Sequence, residues 1–426
     1  MRTGIVVLSV FGGFVTWLYV REWYAPSPGQ SSLGGLHFGF SHVAEQIVAG
    51  AGTRIVWNYE IYDQFESVAT YMPLLPLFFA LFVALDLPLI SLFLVKNLIT
   101  GLVLQAIAVR LGVGLRSGTS LLVLLAAAFV FPRHFVILHD VTFVEAYAPF
   151  VMAYGLSIAL TSNTVGAFTR SDMVRISICS AALFLLHSFF LWIALAMQIW
   201  LACRVRSNRI QVAVIVAATA LLPSGWAAFN AYHGNGFTIG TSHDWMAVYS
   251  GTNRWTANFY PPDDVRKTWP LIVEEAKNTS INSEAEVSAY FKQRVMQFWF
   301  ERPTEAIRLL AAKAWVIFVD PGKVPRSADA PVSGYRDILN YIFMLGFRIL
   351  MAAALTIAAI DIFRRKRPAA AILYLGMVLS YAAPLIFASA LSRNALALLL
   401  PTLAWITWRL HPREPGSSNG HSGYQT

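Results

Sequence analysis

Residues 89–110 read LISLFLVKNLITGLVLQAIAVR, an apolar run long enough to cross a lipid bilayer as one helix. A hydrocarbon core about 30 Å thick requires roughly 20 apolar residues at a helical rise of about 1.5 Å each. The run ends at Arg110, and Arg116 follows shortly after it. Because positive charge concentrates in cytoplasmic loops, we expect this segment to run from the outer face to the cytoplasm.

The whole chain has the composition of a membrane protein. Of its 426 residues, 57% are hydrophobic and 13% are charged, with a mean hydropathy of +0.56. A soluble domain carries about 25% charged residues, so this chain has too little charge to cover a water-exposed surface. Cys179 and Cys203 both lie in apolar runs, which favours neither a disulfide framework nor a metal cluster. The composition therefore predicts an all-α polytopic membrane protein.

The basic clusters assign a direction to every apolar segment. Arginines at 204–209 and the basic run at 364–367 belong in the cytoplasm by the positive-inside rule, and the net charge of +9 needs no nucleic-acid partner to explain it. The first segment is interpreted as a retained signal-anchor, and both termini are expected in the cytoplasm. The alternation predicts about ten transmembrane helices, at 4–20, 89–110, 117–132, 143–161, 174–187, 188–203, 209–228, 337–361, 368–389 and 394–409.

The same alternation excludes residues 72–86 as a span. This segment is short for a bilayer and has Pro73, Pro76 and Pro88 around it, so we expect a re-entrant or juxtamembrane helix on the outer face. The predicted organisation is an N-terminal transmembrane module at 1–228 with its first extracytoplasmic loop at 21–88, an extracytoplasmic region at 229–336, C-terminal transmembrane helices at 337–410, and a disordered cytoplasmic tail at 411–426.

The extracytoplasmic region has three predicted segments. Residues 229–264 contain turn motifs and are expected to form turns and short extended pieces. Residues 283–300 are typical of an amphipathic helix, and residues 303–319 of a second helix with Pro303 in its first turn. The second helix is apolar but carries charged residues, so we expect it to lie flat on the membrane surface.

Ionisable residues at the outer ends of the spans are the candidate functional groups, since the chain has no phosphate loop, dinucleotide fingerprint, zinc-binding helix or nucleophile elbow. Asp140, Glu145, Lys96 and Arg393 all fall in this outer layer. An uncompensated charge at membrane depth costs about 3 kcal/mol or more, so such residues indicate function. They suit an anionic lipid headgroup, a divalent cation, or both. Helix capping by the acids, snorkelling of Lys96 and interfacial anchoring by Arg393 are the alternatives.

Six short motifs occur in order along the chain. They are SHVAEQIVAG at 41–50, YMPLLPLFFA at 71–80, VE at 144–145, YSGTN at 249–253, RPTEAIRLL at 302–310 and SRNALALLLP at 392–401. Their order resembles that of the bacterial GT-C glycosyltransferases, the group that includes protein O-mannosyltransferases, lipid A aminoarabinose transferase and dolichyl-phosphate-mannose-dependent mannosyltransferases. The resemblance covers almost the whole chain as a pattern.

The resemblance implies both a fold and a reaction. The fold is a GT-C-like bundle of about ten transmembrane helices with outer-face juxtamembrane helices and a small extracytoplasmic region. The reaction is an inverting transfer of a sugar from a polyprenyl-phosphate lipid to a hydroxyl of a glycan, lipid or protein acceptor, at the outer face of the bacterial inner membrane. In the family, acids serve as the general base or its assistant, and basic residues hold the leaving phosphate.

Three residues match positions of the family motifs. Glu145 matches the family's second acid, at the opening of the fourth span. Arg393 matches its last-span arginine, and Lys96 lies where many members have an arginine. The resemblance therefore implies that Lys96 and Arg393 contact the donor phosphate, because a cation strengthens each hydrogen bond to an anionic oxygen.

The family's first-loop acid has no direct counterpart in this chain. Counting back from the Ala-Gly that ends residues 41–50 places it at Leu36-His37. His37 is the candidate base, since the unperturbed pKa of histidine is near 6.5. Glu60 or Asp63, later in the same loop, are the alternatives.

Contacts to the acceptor or the sugar are expected from Asp140 and from an aromatic loop with Trp245, Tyr249 and Asn253. Aromatic faces suit sugars, and interfacial anchoring explains the same aromatic residues. No cofactor is certain, and Mg²⁺ or Mn²⁺ is the divalent cation that such acids would take. Two other functions remain open: a lipid-carrier transporter or flippase, although no internal repeat is present, and a catalytically degenerate GT-C-like partner protein.

Overall fold

The computed structural model describes residues 2–22, 24, 33, 40–53, 55–56, 66–67, 72–112, 132–165, 168–204, 209–234, 236–241, 243–258, 265–277, 279, 281–320, 334–388 and 392–410. Its helices in chain order are α1 Arg2–Val20, α2 Phe40–Val48, α3 Leu74–Ala84, α4 Leu89–Leu111, α5 Pro132–His139, α6 Ala148–Val165, α7 Arg170–Leu186, α8 Leu191–Arg204, α9 Arg209–Tyr232, α10 Asp244–Gly251, α11 Arg254–Asn258, α12 Val265–Lys277, α13 Glu284–Glu301, α14 Pro303–Phe318, α15 Gly334–Phe363, α16 Pro368–Phe387 and α17 Leu399–Leu410. A small antiparallel ribbon pairs β1 Ile55–Val56 with β2 Glu66–Ser67.

Among the residues that the structure describes, five helices are long and apolar enough to cross a membrane, which supports a membrane protein with an almost entirely helical fold. They are Thr3–Val20, Leu89–Leu111, Ile210–Tyr232, Ile338–Phe363 and Pro368–Phe387, and each coincides with a predicted span. In α4, the quoted run forms a single helix that ends at Gly112, whose φ of 74° is the left-handed conformation that glycine adopts most readily at a helix end.

The other predicted spans are shorter helices, or fall outside the described part of the chain in the case of residues 117–131. The segments predicted at 143–161 and 394–409 begin as 3₁₀ turns and become α-helical only in α6 and α17. Pro149 and Pro401 lie in the first turns of these two helices. Because proline has no backbone N–H, the helical hydrogen bonds cannot extend back through it. Both helices are therefore shorter than hydropathy predicts.

The two remaining short segments match their predictions as helices. The pair predicted at 174–187 and 188–203 forms α7 and α8, separated by the 3₁₀ turn Ser188–Phe190. Residues 72–86 form only the eleven-residue helix α3, too short to cross a bilayer. One face of α3 packs against α2, and Leu77 and Leu81 on the other face are exposed.

Two ends of the bundle can be defined from contacts between helix termini. At the basic end, Arg110 pairs with Asp172 at 3.0 Å, and Arg409 pairs with Asp361 at 2.8 Å. At the loop end, α1 meets residues 139–142, and α16 meets the α10–α11 turn. Antiparallel neighbours therefore place the predicted cytoplasmic arginines at one end and the candidate functional residues at the other.

The region predicted as turns and extended pieces is partly helical. Residues 244–258 form α10 and α11, and α12 lies in a segment for which no element was predicted. Both α10 and α11 are too short to show a helical repeat of apolar residues. The two helices predicted at 283–300 and 303–319 are present as α13 and α14. Ser283 accepts the Glu286 N–H at 3.3 Å and caps α13.

The region predicted to be extracytoplasmic has its own apolar core. Three helices, α10, α12 and α13, supply most of its buried side chains, and α2 contributes one from the first loop. The core residues are Val43, Met246, Tyr249, Ile272, Val273, Ala276, Ile281, Val287, Phe291 and Val295. This small core fixes α10 beside the outer ends of the longer helices, where the candidate site lies.

Candidate functional site

Glu145 lies in the 3₁₀ turn Val144–Ala146, between α5 and α6 at the loop end. Its side chain is only 7% exposed, and no residue in the described part of the chain donates a hydrogen bond to it. Buried carboxylates are normally hydrogen-bonded, because losing water without a replacement partner is costly. Among the described residues, Glu145 therefore keeps its acceptor capacity.

Asp140, five residues earlier, is fully buried, and both of its carboxylate oxygens accept hydrogen bonds. Its Oδ2 accepts the Tyr24 hydroxyl at 2.8 Å, and its Oδ1 accepts both the N–H and the hydroxyl of Thr142 at 2.7 Å. Burial and the nearby Asp140 charge raise the pKa of Tyr24 well above its usual value. Asp140 thus fastens the loop between α5 and α6 to the end of α1.

Lys96 lies beneath this loop and does not extend to the outer surface. Its side chain is 2% exposed, and its Nζ donates to the Leu138 carbonyl at 2.6 Å. The ammonium also lies over the rings of Tyr147, at 5.4 Å, and Phe150, at 5.7 Å. The snorkelling alternative therefore does not describe this lysine.

The Asn97 amide and the His139 imidazole form a hydrogen-bonded pair next to Lys96, where α1 lies close to α4. Asn97 donates to the carbonyls of Phe93 and His139, each at 2.9 Å, and its Oδ1 lies 2.6 Å from His139 Nδ1. Burial and the Lys96 charge lower the pKa of His139 to about 3, so this ring is neutral. A Cβ at Gly12 would lie 2.6 Å from the His139 ring. The α1 backbone can approach His139 this closely because glycine has no side chain.

His187 is a histidine on which the charge of Glu145 acts. It follows the last residue of α7, and its Nδ1 accepts the Phe189 N–H at 3.2 Å. The carboxylates of Asp244 and Glu145 both act electrostatically on its ring. Nothing in the sequence around His187 shows that the neighbouring Ser188 contacts Asp244 at the start of α10.

Asp244 forms the third part of this arrangement. Its Oδ1 accepts the hydroxyls of Ser188 and Thr241, each at 2.7 Å, and its Oδ2 accepts the Thr241 N–H at 3.0 Å. These bonds tie the start of α10 to the turn that follows His187. We refer to Glu145, His187 and Asp244 as the Glu145 site.

The acids at this end do not fit a divalent cation. Among the residues that the structure describes, no group of three or more His, Cys, Asp or Glu side chains is arranged to hold a metal ion. The Asp140 oxygens already accept three hydrogen bonds, and Asp244 likewise accepts three.

The remaining predicted phosphate and base residues are placed only in part. Arg393 belongs to the 3₁₀ helix Ser392–Leu398, which packs against the turn that carries Glu145. Its side chain lies outside the described part of the structure. The three first-loop candidates for the base, His37, Glu60 and Asp63, also lie outside the described residues.

The predicted sugar-contact residues of the aromatic loop have mainly structural contacts. The buried Tyr249 donates to Glu275 at 2.9 Å, and burial raises its pKa, as does the Glu275 charge. Asn253 donates to the Tyr249 carbonyl at 2.6 Å and accepts the Thr256 N–H at 2.7 Å, which caps α11. Trp245 directly follows Asp244 on α10 and remains next to the Glu145 site.

Two buried cations cap helix ends and were not predicted as buried. Lys313 is 0% exposed and donates to Thr252 Oγ1 at 2.9 Å and to the carbonyls of Phe387 and Ala388 at 3.3 and 2.6 Å, at the end of α16. Arg348 donates to carbonyls at the end of α14, among them that of Val316 at 3.0 Å and that of Ile317. Cations stabilise helix C-termini, where carbonyl oxygens lack intrahelical partners.

Comparison of the chain with protein-family models, with curated proteins and with solved structures finds no match.

Proposed function

We propose that this protein transfers a sugar from a polyprenyl-phosphate donor to an acceptor hydroxyl at the outer face of the bacterial inner membrane, with Glu145 as the general base. The observation that carries the proposal is the Glu145 carboxylate, which is buried at the loop end without a hydrogen-bond donor among the described residues. Intramembrane and juxtamembrane acids of this kind are expensive to keep, so function is the usual reason for them.

The proposed step is a single displacement at the anomeric carbon. The acceptor oxygen forms the new bond to this carbon, and the bond from the carbon to the phosphate oxygen breaks with inversion. The electron pair leaves with the polyprenyl phosphate, and the acceptor proton passes to the Glu145 carboxylate. A carboxylate within hydrogen-bond reach of the hydroxyl removes the proton as the bond forms, which accelerates such reactions by about 10²–10⁴-fold.

Positive charge for the leaving phosphate is proposed to come from Arg393 and Lys96. The backbone of Arg393 lies in the 3₁₀ helix that packs against the Glu145 turn. An ammonium has three N–H donors, and the described residues give Lys96 one carbonyl acceptor and two aromatic faces. Both residues are therefore suitable for charge that develops on the phosphate as the sugar leaves.

The finer fold assignment belongs to the same proposal. The gathering of Arg110–Asp172 and Arg409–Asp361 at one end supports the predicted alternation of directions, with both chain termini in the cytoplasm. A bundle of about ten transmembrane segments follows if the short helices α6, α7, α8 and α17 complete their crossings with adjoining residues.

The test is a transfer assay on the full chain in proteoliposomes, with a panel of polyprenyl-phosphate sugars. Glu145→Gln is expected to lower kcat by about 10²–10⁴-fold, and Arg393→Ala by a smaller factor, since the base acts on the bond that forms. Glu301→Gln is the matched control, because this exposed acid lies at the same end, outside the site. Unchanged turnover in both site variants would contradict the assignment. Absence of transfer with every donor would favour the catalytically degenerate partner.

A second candidate function, transport of a lipid carrier, is favoured by one observation. Lys96 and Asp140 are both buried and interact electrostatically at the outer part of the bundle. Buried ionisable pairs of this kind also occur on ion and proton pathways. Movement of a fluorescent polyprenyl phosphate across proteoliposomes, lost in Lys96→Met and kept in Glu145→Gln, would support transport over transfer.

A further inference from the structure

We propose that the basic end of the bundle holds a binding site for an anionic phospholipid, formed by the turn between α15 and α16 and by the end of α17. This site is at the opposite end from the Glu145 site and is independent of sugar transfer. In the sequence its basic residues indicate membrane topology alone. Three features point to a lipid: hydrogen-bond donors without partners, an excess of positive charge, and adjoining apolar surface.

Arg367 is the central residue of this site. It directly precedes α16, and its guanidinium lies over the Trp408 ring, with Cζ 5.0 Å from the ring centroid. The Nη1 atom of this guanidinium is buried and has no hydrogen-bond partner among the described residues. Because withdrawing a charged donor from water without an acceptor is costly, this position favours an acceptor that binds from outside the chain.

A second donor without a partner adjoins the same Trp408 ring. The Trp405 ring lies 5.4 Å from that of Trp408, and its side chain is 0% exposed. Its Nε1 has no hydrogen-bond partner in the described part of the chain, whereas the hydroxyl of the stacked Tyr374 pairs with Thr402 at 3.0 Å. Native structures contain few buried polar groups without partners, and two of them here contact one ring. Their proximity points to a ligand with several acceptor oxygens.

The turn has an excess of positive charge. Residues 364–367 are Arg-Arg-Lys-Arg, and within the described ranges none of their side chains forms an ion pair. The nearby acid Asp361 is already paired with Arg409 at 2.8 Å. No side chain caps α16, so the positive end of its dipole faces the same turn. Unpaired cations beside a helix N-terminus of this length favour an anion, and phosphate is a common one.

Apolar side chains around the turn indicate that the anion belongs to a lipid. Phe363, directly before the turn, is 93% exposed. Leu410 at the end of α17 is 68% exposed, and Ile372 near the start of α16 is 55% exposed. Both α15 and α16 are long and apolar enough to cross a membrane. A soluble phosphate would leave these side chains in water, whereas acyl chains cover them while the headgroup contacts the arginines.

The charge of the turn also selects among lipids. A guanidinium forms paired hydrogen bonds to two oxygens of one phosphate. The quaternary ammonium of phosphatidylcholine would be repelled by the exposed Arg364, Arg365 and Lys366, whereas phosphatidylglycerol has no such group. The ligand class is therefore an anionic phospholipid of the leaflet at the basic end, which the positive-inside rule predicts to be the cytoplasmic leaflet.

The test is lipid binding to the delipidated full chain in detergent, measured by native mass spectrometry with dioleoylphosphatidylglycerol and dioleoylphosphatidylcholine as the probes. We expect the parent chain to bind phosphatidylglycerol about 10-fold more tightly than phosphatidylcholine. Arg367→Gln should lose about 10-fold in affinity for phosphatidylglycerol, because it loses a hydrogen bond between two charged groups. Arg175→Gln is the matched control, since this exposed arginine lies at the same end on α7. Its effect should be less than about 3-fold, because solvent screens an exposed charge.

Two outcomes of this experiment would overturn the proposal. Equal affinity for the two lipids would show that the turn does not select an anionic headgroup. Equal losses in Arg367→Gln and Arg175→Gln would show general charge attraction without a site. Glycerol 3-phosphate separates the lipid from a soluble phosphate: in large excess it should not displace phosphatidylglycerol, and displacement would assign the site to a soluble ligand instead.

Thermal unfolding provides a second measurement that includes the effect of each variant on folding. Without added lipid, Arg367→Gln should melt within about 3 °C of the parent chain, because the Nη1 donor that it removes has no partner. With phosphatidylglycerol added, the melting temperature of the parent chain should rise more than that of Arg367→Gln. A destabilised Arg367→Gln whose response to the lipid is unchanged would show that Arg367 only packs on Trp408, and would overturn the proposal.

Discussion

The loop end of the molecule contains two groups of buried charged residues. They differ in whether the described residues supply their hydrogen-bond partners. At the ends of α14 and α16, Lys313 and Arg348 donate to carbonyls and a hydroxyl that surround them. At the Glu145 site, a buried acid has no donor among the described residues. A buried charge whose partners are all in the protein stabilises the fold, whereas one that lacks partners is available to a ligand.

The largest expected effect on stability is at Lys313. Lys313→Met removes the donor to the Thr252 hydroxyl and to the Ala388 carbonyl, in a site with 0% exposure, while the Phe387 carbonyl keeps the Thr252 hydroxyl as a donor. We expect a loss of about 2–4 kcal/mol, because a buried group that loses its partner incurs a desolvation penalty. Thermal unfolding in detergent measures it, with the exposed Lys292→Met as control. Equal stability of the two variants would contradict the stabilising role assigned to Lys313.

The second-largest effect on stability is expected where α1 contacts the hydrogen-bonded residues Asn97, His139 and Asp140. Gly12→Ala puts a methyl group 2.6 Å from the His139 ring, so α1 must shift. We expect a loss of about 1–3 kcal/mol from overpacking. Gly376→Ala is the control, since nothing lies within 4 Å of its added Cβ, and it should be neutral or slightly stabilising. A neutral Gly12→Ala would show that this contact is looser than described.

The smallest effect is at the basic end, where Asp172 pairs with the partly exposed Arg110 at 3.0 Å. Burial raises the pKa of Asp172, but hydrogen bonds from Thr169, Arg110 and Ser162 outweigh it, and the net pKa is below the ordinary 3.8. A carboxyl whose pKa is lowered in the folded protein stabilises the fold at pH values above its ordinary pKa. This stabilisation is lost as the pH falls through the pKa of the folded state. Asp172→Asn should therefore cost about 0.5 kcal/mol at pH 7 and less below about pH 4. A difference in melting temperature that grows on acidification would contradict this.

The sequence predicts well what is local. Residues 89–110 form one helix because every backbone hydrogen bond that a helix requires is made between residues of the run itself. Residues 72–86 were excluded as a span by charge and proline positions, and α3 is indeed short. The short α10 and α11 were wrongly predicted as turns and extended pieces, since helices of five to eight residues depend on caps, such as Asn253 at the start of α11.

The sequence could not separate residues that differ only in distant partners. Asp140 and Glu145 are near neighbours with the same chemistry, yet Tyr24 reaches only the first of them. Lys313 was assigned to a surface helix, because its acceptors at the end of α16 are invisible from its own segment. His187 is linked to the site through its neighbour Ser188, which contacts Asp244 at the start of α10, a separate part of the chain.

The most direct test of the central claim compares Glu145→Gln with Asp140→Asn in one preparation, measuring both sugar transfer and unfolding. Both changes remove one buried carboxylate charge at the loop end. We expect Glu145→Gln to lose activity by about 10²–10⁴-fold while its stability stays within about 0.5 kcal/mol of the parent chain. Asp140→Asn should lose about 1–3 kcal/mol of stability, because its three donors lose a charged acceptor. The reverse result, a destabilised Glu145→Gln that remains active, would contradict the account.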